Sequence, residues 1–135
     1  MPIVLCIDDY RAGLATRKRL LEQQGYSVLT AEDGITGLSH LAHFNVSAVV
    51  LDYRMNEMGG EAVAKIIRKE HPAVPIILLT GLPHGSLPES LTGLVDAIIT
   101  KGRGVEVLIS TLHRLTGTES APPTDSAPAR PAKRD

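Results

Sequence analysis

Five polar side chains with the chemistry of phosphate or metal sites follow short apolar runs of the chain: Asp8 and Asp9, Asp52, Thr80, and Lys101. Carboxylates held about 4 Å apart repel each other by on the order of 4 kcal/mol at an effective dielectric constant near 20. If the fold brings the three carboxylates this close together, the group should raise a pKa or bind a cation. Lys101 offsets one negative charge, and the remaining excess suits a hard divalent ion with oxygen ligands, such as Mg²⁺.

The elements that position these side chains follow from the apolar patterning. Short runs rich in Val, Ile and Leu predict five buried strands over residues 3–7, 27–30, 47–51, 75–80 and 95–99. Segments with helical spacing separate them, and Asp33 is a good N-cap for the second helix. This alternation predicts an α/β fold, with a doubly wound parallel sheet covered by helices on both faces. In such sheets, ligands bind beyond the carboxyl ends of the strands.

The fourth crossover, residues 81–93, differs from the others because it holds three glycines and two prolines. This composition predicts a mobile loop with a weak or short fourth helix of one or two turns, beginning near Pro88 and ending at Gly93.

Length and composition limit the class of protein. The chain has 135 residues, 43% of them hydrophobic, and a formal net charge of −1, which suits one globular domain and not a nucleic-acid-binding surface. No apolar run is long enough for a membrane span and no secretory signal precedes Asp8, so we expect a cytoplasmic protein without membrane contact. The predicted domain covers residues 1–116, and the Pro/Ala-rich segment 117–135 is a predicted disordered tail.

The ordered set of motifs resembles the receiver domains of two-component response regulators. It consists of the acidic pair after the first strand, Asp52 followed by Met55 and Gly60, Thr80-Gly81, and Lys101 after the fifth strand. The resemblance covers about residues 2–116. It implies a five-stranded flavodoxin-like sheet in the order 2-1-3-4-5, which places strands 1 and 3 side by side.

The resemblance also implies roles for individual residues. Asp52 would accept a phosphoryl group from the phosphohistidine of a histidine kinase or a histidine phosphotransfer protein. Thr80 and Lys101 would bind phosphoryl oxygens. Mg²⁺ would be bound by Asp9, Asp52, the main-chain carbonyl of Arg54 and, through a water molecule, Asp8.

Several positions depart from the family pattern. Ile98 stands where the family has an aromatic residue, Gly102 stands where a proline often follows the lysine, and Asn56 replaces another common proline. Without proline, a cis peptide bond costs about 2.5–4 kcal/mol, so we expect the bond before Gly102 to be trans. Arg54 and Leu82 occupy the positions that border the path of the attacking water in receivers.

Other polar and reactive residues have plainer interpretations. The basic runs 17–19 and 65–69 are interpreted as solvated helix faces, with docking of a partner by the first helix as the alternative. His40 and His43 are interpreted as part of a solvated face and not as metal ligands. Cys6, inside an apolar run, is expected to be a small buried side chain.

The resemblance predicts a stand-alone receiver, monomeric or weakly dimeric, that changes its affinity for an unknown downstream protein target. It would be no enzyme beyond catalysing its own phosphorylation and dephosphorylation. One alternative is a degenerate receiver that binds partners without phosphorylation. Others are a haloacid-dehalogenase-like phosphatase, whose acids would stand in a D-x-D motif, and a flavodoxin-like cofactor carrier, for which the chain has few aromatic residues.

Overall fold

A parallel sheet flanked by helices forms the core of the protein. The computed structural model describes residues 1–117. The strands are β1 (Ile3–Ile7), β2 (Ser27–Ala31), β3 (Ala48–Asp52), β4 (Ile76–Thr80) and β5 (Ala97–Thr100). The helices are α1 (Arg11–Gln23), α2 (Gly34–His43), α3 (Gly60–Glu70), α4 (Glu89–Thr92) and α5 (Val105–Thr116).

The strand order is β2-β1-β3-β4-β5 and every pairing is parallel, which confirms the predicted fold class. In the register between β1 and β3, Ile7 lies opposite Leu51. The residues that follow Ile7 therefore lie beside Asp52 at one edge of the sheet. All residues of β3 and β4 are buried, because helices cover both faces of the central strands.

Two apolar clusters fill the space between the sheet and its helices. Alternate residues of β1 contribute to opposite clusters, since successive strand side chains point to opposite faces. Leu5 and Ile7 pack with residues of α2, α3 and α4, whereas Val4 and Cys6 pack with residues of α1 and α5. The second helix begins as predicted, with the Asp33 side chain accepting a hydrogen bond from the Thr36 amide at 2.7 Å.

Cys6 is buried as expected, with none of its surface exposed. Burial raises the pKa of its thiol to about 12, while the positive charge of Arg17 lowers it and the negative charge of Asp8 raises it. The thiolate is the nucleophilic form of cysteine, so this residue is unreactive at neutral pH.

The crossover after β4 has the predicted short helix. A turn of 3₁₀ helix over His84–Ser86 precedes α4, which has only four residues and ends at Gly93. Pro88 precedes α4 as its N-cap, and so lies one residue earlier than the expected first helical position. Leu91 is completely buried and anchors this short helix in the core cluster that includes α3.

An arginine clamp connects α3 with the start of β5 and corrects two predictions. Arg68 donates hydrogen bonds to the carbonyls of Pro72, Val74 and Leu94 and pairs with Asp96 at 2.9 Å, so it is not part of a solvated face. The same Asp96 oxygen accepts a hydrogen bond from the Ile76 amide at 2.8 Å. Because these contacts engage Asp96, residues 95 and 96 belong to the loop before β5. The strand therefore begins at Ala97 and not at residue 95 as predicted.

The last helix of the described region ends at Gly117, whose φ of 72° is the left-handed conformation favoured by glycine. The rest of the predicted disordered tail, residues 118–135, lies outside the described residues. None of the helices within residues 1–117 is long and apolar enough to cross a membrane.

Candidate functional site

Three carboxylates meet at the carboxyl end of the sheet. Asp8 and Asp9 follow β1, and Asp52 is the last residue of the neighbouring β3. One oxygen from each of the three side chains lies within 4.8 Å of the other two. Asp8 is 2% exposed and Asp52 3%, whereas Asp9 is more open to solvent. The strand order thus brings together the carboxylates that the sequence analysis selected.

Main-chain amides fix two of these carboxylates. The Tyr10 amide donates to Asp8 Oδ1 at 3.0 Å, within the turn that leads from β1 into α1. The Asn56 amide donates to Asp9 Oδ2 at 3.1 Å, from the loop between β3 and α3. Asn56 therefore contributes its backbone N–H, a donor that a proline at this position would lack.

Asp52 is paired with a lysine. Lys101 follows β5, and its Nζ lies 2.5 Å from Asp52 Oδ1. This oxygen is buried and has no hydrogen bond of regular geometry, so the contact is best described as an ion pair. Burial raises the pKa of Asp52; the Lys101 contact lowers it, and the charges of Asp8 and Asp9 raise it further. The peptide bond between Lys101 and Gly102 is trans, as expected, and Gly102 adopts a φ of 93°.

Thr80 is the last residue of β4 and is 1% exposed. Its Oγ1 accepts a hydrogen bond from the Leu82 amide at 3.0 Å. Its carbonyl accepts a hydrogen bond from the Lys101 amide at 2.7 Å, which places the threonine and the lysine on adjacent strand ends. The hydroxyl is therefore engaged with the crossover after β4 in this structure.

The loop after Asp52 forms an open groove of about 580 Å³, whose lining includes Arg54 from that loop and Leu82 from the crossover after β4. The two residues that the sequence analysis placed near the path of the attacking water thus face the same space.

Gly60 brings the start of α3 against the backbone of the site. A Cβ atom at this position would lie 2.7 Å from the Asp52 carbonyl oxygen and 2.9 Å from the Tyr53 Cα. The Gly60 amide donates to the Tyr53 carbonyl at 2.9 Å, which closes the loop. A glycine is required here because any side chain would push α3 away from the end of β3.

The donor set fits a hard divalent cation. The cluster offers carboxylate oxygens only, and two of the three carboxylates are nearly buried, where uncompensated negative charge is costly. Mg²⁺ is commonly bound through one or two carboxylates while its other positions are left to water and phosphate. Among the described residues, this acidic cluster is the one group of three or more such side chains close enough to hold a metal ion.

One residue of the site was missed by the sequence analysis. Arg17, interpreted as part of a solvated face, has a side chain only 15% exposed, and its Nη2 lies 3.5 Å from Asp8 Oδ2. The signal was present in the spacing, because Arg17 lies three residues after Leu14 and four before Leu21 on the buried stripe of α1.

Comparison with known proteins gives the family of the chain. The family profile of the response regulator receiver domain matches residues 4–113. The transcriptional regulatory protein GlrR of Escherichia coli is 35% identical over 125 residues, 90% of this chain and 28% of GlrR. The response regulator MprA of Mycobacterium sp. is 33% identical over 136 residues, 98% of this chain and 57% of MprA.

Solved structures agree with these sequence matches. The response regulator TrrA from Thermotoga maritima, solved in complex with Mg²⁺-BeF, has a TM-score of 0.79 and 30% identity and covers 85% of this chain and 99% of its own. The receiver domain of the Francisella response regulator 1452 has a TM-score of 0.80 and 28% identity and covers 87% of this chain and 98% of its own.

The chain belongs to the family of response regulator receiver domains of two-component systems. It spans 28% of the length of GlrR and 57% of that of MprA, so the match concerns the receiver part of these longer relatives.

Proposed function

We propose that this receiver accepts a phosphoryl group on Asp52 from a histidine kinase or a histidine phosphotransfer protein. The observation that carries the proposal is the meeting of three carboxylates in which the nearly buried Asp52 is paired with Lys101 at 2.5 Å. Asp8 is also near a cation, Arg17, but the Lys101 side chain at Asp52 is more open to incoming phosphoryl oxygens, being 45% exposed against 15% for Arg17. Receiver domains as a family support a phosphoacceptor role in general.

The transfer is a displacement at phosphorus. An Asp52 carboxylate oxygen forms a bond to phosphorus, the bond between phosphorus and the donor imidazole nitrogen breaks, and the electron pair of that bond stays on the nitrogen. Phosphoryl transfer depends mainly on positioning and on neutralisation of charge on the phosphoryl oxygens. Lys101 supplies one such charge, and the Thr80 hydroxyl supplies a donor once it turns from its contact with the Leu82 amide.

Mg²⁺ completes the proposed site. Asp9, Asp52 and the main-chain carbonyl of Arg54 would bind the ion directly, and Asp8 would act through a coordinated water. When bound, the ion supplies positive charge for the phosphoryl oxygens. The Mg²⁺-BeF complex of the relative TrrA supports this assignment.

The proposed output is a change in partner binding. A phosphoryl group adds charge and strong acceptor oxygens beside Thr80. A Thr80 hydroxyl drawn to these oxygens releases the Leu82 amide at the start of the crossover after β4. Ile98, half-buried against the cluster that includes α3 and α4, would follow by packing in place of an aromatic side chain.

The wider assignments belong to the same proposal. We place the chain in the cytoplasm, as a monomer or weak homodimer whose downstream target is a protein. Catalysis would be limited to its own phosphorylation and dephosphorylation. Its receiver domain would cover residues 1–116. The formal net charge of −1 supports a protein partner over nucleic acid for this chain, although relatives such as GlrR carry transcriptional names.

The proposal is tested by incubating the chain with MgCl₂ and a small phosphodonor, such as phosphoramidate, and measuring the intact mass. We expect a gain of one phosphoryl group in the wild type and in Asp96→Asn, a matched change of an aspartate outside the cluster. We expect no gain in Asp52→Asn or in the presence of EDTA.

Other results point to the alternatives. Failure of every donor, including a cognate kinase, to modify the folded wild type would contradict the proposal and favour a receiver that binds without phosphorylation. Continuous release of phosphate over many turnovers would favour a phosphatase. Modification that persists in Asp52→Asn would show that another residue accepts the phosphoryl group.

A further inference from the structure

Arg17 occupies an unusual position for a charged residue. It lies between Leu14 and Leu21 on the face of α1 that packs against the sheet, and both leucines are buried. The Arg17 side chain is only 15% exposed. A guanidinium removed from water to this extent needs an anionic partner, because an unpaired buried charge is strongly destabilising.

The partner of Arg17 is the most buried of the three site carboxylates. Its Nη2 lies 3.5 Å from Oδ2 of Asp8, a carboxylate only 2% exposed. The other Asp8 oxygen accepts a hydrogen bond from the Tyr10 amide.

The contact between Arg17 and Asp8 changes the net charge of the carboxylate cluster. Within residues 1–117, the site carboxylates form ion pairs with two cations, Lys101 at Asp52 and Arg17 at Asp8. Three carboxylates and two cations leave a single net negative charge. With Lys101 alone, the cluster would hold two net negative charges and would attract a divalent cation more strongly.

We propose that Arg17 is a positioning residue that serves as a built-in countercation for Asp8. It stabilises the metal-free receiver and lowers the affinity of the site for Mg²⁺. The inference rests on the proposed function, since it concerns the ion proposed for that site. It is distinct from a docking role for α1, because the guanidinium is directed toward the site and not toward solvent.

The test is a titration of the full chain with MgCl₂. NMR monitors the titration through the backbone amide signals of Tyr10 and Asn56. These two amides donate to Asp8 and Asp9 and so report binding at the cluster itself. We expect Arg17→Leu to bind Mg²⁺ roughly tenfold more tightly, since Coulomb's law gives about this factor for one charge removed a few ångströms away even at the dielectric constant of water.

Two variants serve as matched controls. Arg17→Lys retains the positive charge and is expected to bind Mg²⁺ with nearly the affinity of the wild type. Arg19→Leu removes the same type of side chain from the exposed face of α1 and changes the net charge equally. We expect its affinity to stay near that of the wild type, because salt screens charges at the surface.

A stability measurement gives a second readout. In EDTA, Arg17→Leu should unfold at a lower urea concentration than the wild type, and MgCl₂ should stabilise it more than it stabilises the wild type. If Arg17→Leu does not fold, Arg17→Gln also removes the charge and has the same expected results.

The possible failures are distinguishable. Unchanged or weaker Mg²⁺ binding in Arg17→Leu or Arg17→Gln, with normal binding by the wild type, would overturn the role of Arg17 and leave the proposed function standing. Absence of Mg²⁺ binding at the cluster in the wild type would overturn the proposed function itself.

Discussion

The acceptor region, formed by the loops after β1 and β3, is more tightly packed and hydrogen-bonded than the crossover of residues 81–93. In the acceptor region, backbone amides fix Asp8 and Asp9, and Gly60 is in such close contact that a methyl group would touch the Asp52 carbonyl. In the crossover, α4 has four residues, and a methyl group added at Gly81 or Gly85 would meet no atom within 4 Å.

This difference bears on how the chain can keep the charged site residues of the family and yet lack the aromatic residue at position 98. Phosphoryl transfer needs charged atoms at fixed positions, so the charged side chains of the acceptor region tolerate little change of residue type, whereas Asn56 contributes only its backbone amide there. Transmission of the signal requires a change in packing, which different side chains can provide. Ile98, in place of an aromatic residue, lies beside the second region and leaves the first intact.

Replacement of Lys101 should have the largest effect on the rate of phosphorylation. Lys101→Ala removes the cation paired with Asp52, and loss of such a charge typically lowers the rate by about 100-fold or more. The rate is measured as mass gain against time with a small phosphodonor. Arg103→Ala, an exposed change two residues away, is the control; equal rates for both variants would contradict the assignment of Lys101.

Replacement of Arg68 should affect stability and not the chemistry. Arg68→Ala removes the hydrogen bonds to three carbonyls and the pair with Asp96, at a cost of about 3 kcal/mol in the free energy of unfolding. Urea unfolding measures this loss, with Lys69→Ala on the exposed face of α3 as the control. A loss no greater than that of the control would mean that the clamp does not stabilise the fold.

Two glycine substitutions compare the regions directly. Gly60→Ala forces the start of α3 away from the Asp52 backbone and should cost about 2 kcal/mol in the free energy of unfolding, as overpacking does. It should also slow phosphorylation, because it moves the end of β3. Gly81→Ala enters open space and should change stability by less than about 0.5 kcal/mol. Equal losses in both variants would remove the contrast between the regions.

The smallest effect should be the dependence of stability on pH. Burial raises the pKa of Asp52, but the contact with Lys101 lowers it and so limits the shift. A carboxyl whose pKa is raised by folding stabilises the protein when protonated, and this contribution is lost as the pH rises through the raised pKa. In EDTA, the stability of the wild type relative to Asp52→Asn should therefore increase as the pH is lowered from about 7 to about 4. Urea unfolding at each pH measures the difference, and a constant difference would contradict a raised pKa.

Much of the fold could be predicted because apolar runs and glycine positions act locally. The first strand has the predicted bounds, and the low helical content of residues 81–93 follows from their glycines and prolines. The start of β5 could not be predicted, because Asp96 is engaged by Arg68, which is distant in sequence. The meeting of the carboxylates required the strand order, which came from the family resemblance and not from periodicity.

Arg17 shows where reasoning from charge runs fails. Three consecutive basic residues suggest a solvated face, yet a helix distributes them around its circumference, and one of them falls on the buried stripe. Its partner Asp8 precedes the helix and enters the site through the turn at Tyr10. The pairing therefore depends on tertiary placement, which no pattern within α1 contains.

The burial of Cys6 has a practical consequence for spectroscopy. The chain has a single cysteine, and its unreactive thiol leaves maleimide or nitroxide reagents no accessible native target. A cysteine introduced at an exposed position such as Ser90 in α4 can therefore be labelled selectively while the native core stays intact. Distances from a nitroxide label at this position to the backbone amides would report any movement of α4 when Asp52 is phosphorylated.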